Sequence, residues 1–211
     1  MNKRKNWIAS LLCASFGALW FFIRGGGQYL GGDSAWGMMQ GTGDWGQHIL
    51  GFMFFRQAAW SFPLGSIPNL ASPIGTTLGF VDANPIVGVL LKPFSAWLPI
   101  DFQYVGLILL ACFILQGYFA YRVAKHVSEA IGIRILVALL LTMSPLLLWR
   151  IGHENLCAHF LILWALDVVL ERNRKRSWEI ALLCFVAIGT HMYFVPMVLG
   201  LGIGWIVLST S

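Results

Sequence analysis

The chain has 211 residues, 58% of them hydrophobic and only 11% charged, with a mean hydropathy of +0.73. A soluble domain usually carries about 25% charged residues, so this balance predicts a membrane protein with the lipid bilayer as its partner and excludes an ordinary soluble domain. The formal charge of +5 raises nucleic acid as a partner, but the placement of the basic residues reads as membrane topology, and no nucleic-acid role is assigned.

Near-continuous apolar runs lie at about residues 7–23, 102–121, 133–149, 155–170, 178–194 and 196–208. They predict an all-α integral membrane protein, a single membrane domain over residues 1–211 with five to six transmembrane helices. Several runs are shorter than the roughly 20 residues that span a bilayer, so some helices are expected to be short or tilted. Lys3, Arg4 and Lys5 precede the first run. Arg122, Lys125 and Arg134 fall between the second and third, and Arg172, Arg174, Lys175 and Arg176 between the fourth and fifth. The positive-inside rule places all three segments, and with them the N-terminus, in the cytoplasm. The first run continues through "ALWFFIR" without a small-x-small cleavage site, which predicts an uncleaved signal anchor. Cys13, Cys112, Cys157 and Cys184 sit in or beside apolar runs without metal-ligand spacing and read as small buried hydrophobes.

Residues 24–101 are expected to form a long first extracytoplasmic loop carrying short amphipathic helices. Its opening, "RGGGQYLGGDS", lacks the GK[ST] ending of a phosphate-binding loop and reads as flexible chain. A helix is predicted over 44–59, too short in apolar residues to span, and so interfacial or packed in the protein. Pro63, Pro68, Pro73 and Pro85 then punctuate an apolar but irregular stretch, which cannot face lipid and should pack as a layer. "PIVGVLLKPFSAWLP" reads as a second short helix interrupted at Lys92-Pro93. The last run ends at "WIVLSTS" without a cytoplasmic tail, so the chain is read as an N-terminal fragment or a short member of something larger.

On this topology Asp33, Asp44, His48, Asp82, Asp101, His153, Glu154 and His191 all lie at the outer face, and Gln116 and Asp167 are the main exceptions to the apolar centres of the spans. Each outer group has a purely structural reading. Asp44 followed by Gln47 matches a capping box; Asp82 beside Asn84-Pro85 could close an Asx turn; Glu154 could favour a helix N-terminus; Asn155 and His159 could bond to each other. The structural readings do not explain why all these groups collect on one face in separate loops. A pocket built from them could bind a metal through oxygen and imidazole, or use a carboxylate as general base. The expectation is that Asp44, Glu154 and at least one of His153 and His191 face a common cavity. No H-E-x-x-H, C-x-x-C or G-x-S-x-G motif is present, so zinc-protease and serine-nucleophile chemistry are not indicated.

The stretches "GDWGQHILGFMFFRQAAWSFPLG", "GTTLGFVDANPIVGVLLKPFSAWLP", "FQYVGLILLACFILQGYFAYRVA" and "SPLLLWRIGHENLCAHF" occur in a characteristic order. A basic tail and one span lead to a long outer loop with an aspartate at a helix start, and an acidic second outer loop follows. This order resembles the GT-C type membrane glycosyltransferases of bacteria. The resemblance implies transfer of a sugar from a polyprenyl-phosphate carrier to an acceptor at the outer face of the bacterial inner membrane. It implies Asp44 and Glu154 as catalytic residues, and a divalent cation, Mg or Mn, held by His153 and Glu154. Arg56, Lys92 and Arg150 would serve the carrier phosphate, with Asp82 and His191 as further substrate contacts. Asp44 lacks the acidic neighbour common in that family, and the family usually has more spans, so a truncated chain would be inactive alone. The alternative reading is a non-catalytic multi-span protein: part of a transporter, or an envelope assembly factor with protein partners.

Overall fold

The computed structural model describes residues 3–33, 44–171 and 177–210. The basic segment Arg172, Arg174, Lys175 and Arg176 lies outside the described residues. The described chain is mostly helical, with almost no strand. Helix α1 is Lys3–Ile23, α2 Trp45–Gln57, α3 Pro85–Leu91, α4 Val105–Ala124, α5 Ile131–Thr142, α6 Pro145–Trp149, α7 Phe160–Glu171, α8 Ser177–Thr190 and α9 Phe194–Thr210. Short 3-10 turns occupy Gly26–Tyr29, Lys92–Phe94 and Glu154–Cys157. A two-residue antiparallel ladder, β1 Ser66–Ile67 with β2 Thr76–Thr77, folds the proline-rich stretch back on itself.

Three helical segments are long and apolar enough to cross a membrane: Arg4–Ile23, Val105–Ala124 and Ile131–Trp149. Large apolar side chains stand outward along the helices, Leu12, Leu140, Phe185 and Ile203 among them, a surface suited to hydrocarbon rather than water. The third segment breaks after Thr142. Pro145 drives Ser144 into extended backbone and starts α6, as proline does to the residue before it.

Helix α4 is the hub, packing against α1, α5 and α7, while α7, α8 and α9 pack on one another. The α1–α4 crossing is close because both partners present glycine. A Cβ at Gly17 would meet the Phe113 carbonyl, and one at Gly117 would meet the Cys13 carbonyl. Gln116 and Asp167, the main polar exceptions along the apolar helices, are both tied into the fold. Gln116 donates from Nε2 to the Leu141 carbonyl at 3.3 Å. Asp167, fully buried, is held by Arg122 at 2.7 Å, His126 at 3.0 Å and Lys125 at 3.3 Å. That charged knot marks one end of the bundle.

Residues 24–33 and 44–104 cover the opposite end, where α4 begins. Helix α2 is buried on most of its surface, through Trp45, His48, Ile49, Phe52, Met53, Phe55 and Arg56, so it packs inside the protein rather than lying on a surface. Phe52, Phe55, Ile67, Leu78, Ala83 and Tyr104 form a separate apolar cluster beneath the irregular layer.

Candidate functional site

Three elements far apart in sequence converge at this end. The start of α2 is pinned to the α6–α7 connection by two bonds: the Asp44 amide donates to the Gly152 carbonyl at 3.1 Å, and Trp45 Nε1 to the Ile151 carbonyl at 3.1 Å. The Asp82 loop is pinned to the same connection by asparagines. Asn84 Nδ2 donates to Asn155 Oδ1 at 2.9 Å, and Asn155 Nδ2 donates to the Asp82 carbonyl. The Asn84 amide in turn donates to the Tyr104 hydroxyl at 2.8 Å. Gly51 lets the Asp82 loop approach α2, since a Cβ there would collide with Val81. The elements that carry Asp44, His48, Asp82, His153 and Glu154 are therefore locked together by the fold.

His48, one turn into α2, points Nδ1 at Glu154 Oε2 over 2.6 Å, and both side chains are fully buried. Burial alone would pull the His48 pKa down, but the hydrogen bond and charge of Glu154 outweigh it and hold the imidazole above its ordinary value. His48 Nε2, Glu154 Oε1 and His153 Nδ1 are buried without a hydrogen-bond partner among the described residues. The His153 ring lies 4.7 Å from that of His48 and 5.2 Å from that of His191.

Two carboxylates flank these rings. His153 Nε2 is 3.5 Å from Asp82 Oδ2 and 3.9 Å from Asp44 Oδ2, and His191 Nε2 is 3.3 Å from Asp82 Oδ1. His191 Nδ1 accepts from the Tyr193 amide at 3.1 Å, which assigns its proton to Nε2, facing Asp82. Burial holds His191 below the ordinary histidine pKa, with Asp82 pulling the other way. Asp44 is 59% exposed and Asp82 37%, so both reach solvent, whereas Glu154 does not. Asp82 adopts φ 53°, a left-handed conformation that aspartate tolerates better than most residues.

The structure brings Asp44, Asp82, His153 and His191 into one polar cluster, with the His48 ring against that of His153. It also changes several residue readings. Asp44 stands at the N-cap position of α2 but makes no side-chain cap bond, and Gln47 reaches the Phe80 carbonyl instead. The asparagine two residues after Asp82 takes the capping role, accepting from the Val87 amide at 3.1 Å. Asn155 bonds across loops rather than to His159. Glu154 is fully buried behind His48, accepting at Oε2 from its ring.

Of the three expected phosphate cations, two are committed elsewhere. The Arg56 guanidinium donates to the carbonyls of Pro99, Ser95 and Leu98 at 2.7–2.9 Å, closing the turn before α4. Lys92 is buried with Nζ 4.0 Å from the Phe55 ring centre and 4.7 Å from that of Trp60, and burial lowers its pKa. Arg150 is exposed, three residues before His153, and near enough to His159 to depress its pKa further after burial.

An apolar groove of about 420 Å³ opens beside the cluster, lined by Leu64, Pro85, Ile86, Leu90, Phe185 and Ile188 among others. It shares Pro85 and Ile188 with a small pocket of about 50 Å³ whose walls include Asp82 and His191. Polar cluster and apolar groove thus adjoin.

These features define an all-α protein with three helical segments long and apolar enough to cross a membrane and a buried histidine-carboxylate centre at one end of its bundle. The chain belongs to a family known as a domain of unknown function, DUF6311, whose model matches residues 14–210. No curated protein and no solved structure matches it.

Proposed function

We propose that this protein is a GT-C type membrane glycosyltransferase, moving a sugar from a polyprenyl-phosphate carrier to an acceptor hydroxyl at the extracytoplasmic face of the bacterial inner membrane. In this reading the N-terminus is cytoplasmic, the charged knot around Asp167 lies at the cytoplasmic side, and the shorter apolar helices complete five to six spans. The observation that carries the reading is the apolar groove running up to Asp82 and His191. A polyprenyl-phosphate sugar is a long apolar tail with an anionic, hydroxyl-rich head, and it needs an apolar channel that ends in polar groups.

The chemistry assigned to the cluster is a single displacement. The acceptor oxygen forms a bond to the anomeric carbon while the bond from that carbon to the phosphate oxygen breaks, and polyprenyl phosphate leaves with the electron pair. Asp44, exposed at the rim beside His153, takes the hydroxyl proton, a role worth about 10²–10⁴-fold in rate. Arg150 is the exposed cation nearest in sequence to the cluster and is assigned to the leaving phosphate. Asp82, oriented by His191, contacts the acceptor or the sugar.

The test is release of polyprenyl phosphate from a panel of polyprenyl-phosphate hexoses by the purified protein in proteoliposomes. Release that depends on an added hydroxyl acceptor supports the reading. Binding of the donors without release favours a non-catalytic envelope protein.

A further inference from the structure

We infer that His48, Asp82 and His153 bind one first-row divalent transition metal of the zinc class, with Glu154 as the buried carboxylate that orients His48. One ligand atom from each of the three residues lies within 4.8 Å of the other two. Such spacing alone is common. The second observation is that His48 is fully buried and its Nε2 has no hydrogen-bond partner among the described residues, although an unsatisfied buried polar atom is costly.

The carboxylate behind His48 explains why Nε2 stays available. A metal-bound histidine almost always donates its other ring N–H to a carboxylate or carbonyl, which fixes the ring and makes the ligating nitrogen more basic. Glu154 stands in that position, 2.6 Å from His48 Nδ1. His191 does the equivalent for Asp82, facing Oδ1 at 3.3 Å and leaving Oδ2 on the His153 side. Two imidazoles and one carboxylate suit zinc and its neighbours, and three protein ligands leave a position open for a substrate oxygen. Magnesium prefers oxygen ligands and retained water, so of the two ions implied by the resemblance magnesium fits this donor set less well than manganese or a softer ion, and Glu154 moves from ligand to positioning residue. A second metal-like grouping among the described residues, His126, Asp167 and Glu171, is ruled out by Arg122 and Lys125, whose cations already occupy Asp167.

This inference stands apart from the glycosyl-transfer reading, and its test is metal content. Detergent-purified protein should carry about one equivalent of zinc, manganese or cobalt per chain after dialysis, and cobalt loading should give visible ligand-field absorption. His48→Ala, His153→Ala and Asp82→Asn should each lose the ion. Glu154→Gln should keep the cobalt spectrum but weaken zinc affinity about 10–100-fold, a graded loss that a purely structural carboxylate would not cause. His159→Asn should bind as wild type. Folded wild-type protein that holds no transition metal and gives no cobalt spectrum overturns the inference without any reference to the variants. Metal retained in the His48→Ala/His153→Ala double variant also overturns it. Metal bound in a protein that transfers no sugar sinks the transferase reading alone, and sugar transfer without a transition metal sinks the metal site alone.

Discussion

His48 Nδ1 and Glu154 Oε2 lie 2.6 Å apart with neither side chain exposed, joining α2 to a 3-10 turn 106 residues later. Removing one partner strands the other in a dry site, at a cost of about 1–3 kcal/mol for a hydrogen bond and more if the group is charged. Glu154→Ala and His48→Ala should each lower the melting temperature in detergent. The double variant should be less destabilised than the sum, with a coupling of about 1–3 kcal/mol. Strict additivity would mean that the two side chains do not act as a pair.

Gly51→Ala should disturb the site without touching a polar residue. The new Cβ runs into Val81 and pushes away the loop that carries Asp82. Overpacking of this kind costs about 1–3 kcal/mol. Thermal melting should show that loss, and donor turnover should fall with it. A variant as stable and as active as wild type would show that the Asp82 loop is not held where Gly51 puts it.

Lys92 and Arg150 should separate cleanly. Lys92 is buried between Phe55 and Trp60, so Lys92→Met should cost about 0.5–2 kcal/mol of stability and leave the KM for donor unchanged. Arg150 is exposed and stands three residues before His153, so Arg150→Met should leave stability within about 0.5 kcal/mol and raise the donor KM. Steady-state kinetics and melting curves on both variants check the assignment, and the reverse pattern would return the phosphate to Lys92.

Filling the groove should weaken binding of the carrier tail. Ile188→Trp places an indole between α3 and α8, where Ile188 already lines both the groove and the Asp82 pocket. Affinity for a long-chain polyprenyl phosphate should fall while that for a water-soluble short-chain analogue holds. Equal loss for both chain lengths would place the tail elsewhere.

Much of the fold was legible because apolar runs are local signals. The run at 102–121 became Val105–Ala124 and the helix expected over 44–59 became Trp45–Gln57, whereas the break at Ser144-Pro145 inside the run at 133–149 was not read from the sequence. Sidedness put Asp44, Asp82, His153 and His191 on one face, and their proximity there agrees with that placement. The roles of single side chains were not legible, because distant partners decide them. Gln47 matches a capping box but bonds to the Phe80 carbonyl, and Arg56 looks like a free cation until the Ser95–Pro99 carbonyls enclose it. His48 carried a weak signal, one turn after Asp44 on the same helix face. Its tie to Glu154 depends on Asn84, Asn155 and Trp45 bonding across loops, which spacing along the chain does not reveal.

Asp44→Asn is the most direct single test. The carboxylate is 59% exposed and makes no cap bond, so the variant should melt within about 0.5 kcal/mol of wild type. In proteoliposomes supplied with polyprenyl-phosphate hexose and acceptor, it should release polyprenyl phosphate at least about 100-fold more slowly than wild type. An Asp44→Asn protein that turns over at the wild-type rate would contradict the assignment of Asp44 as the base and, with it, the proposed chemistry of the site.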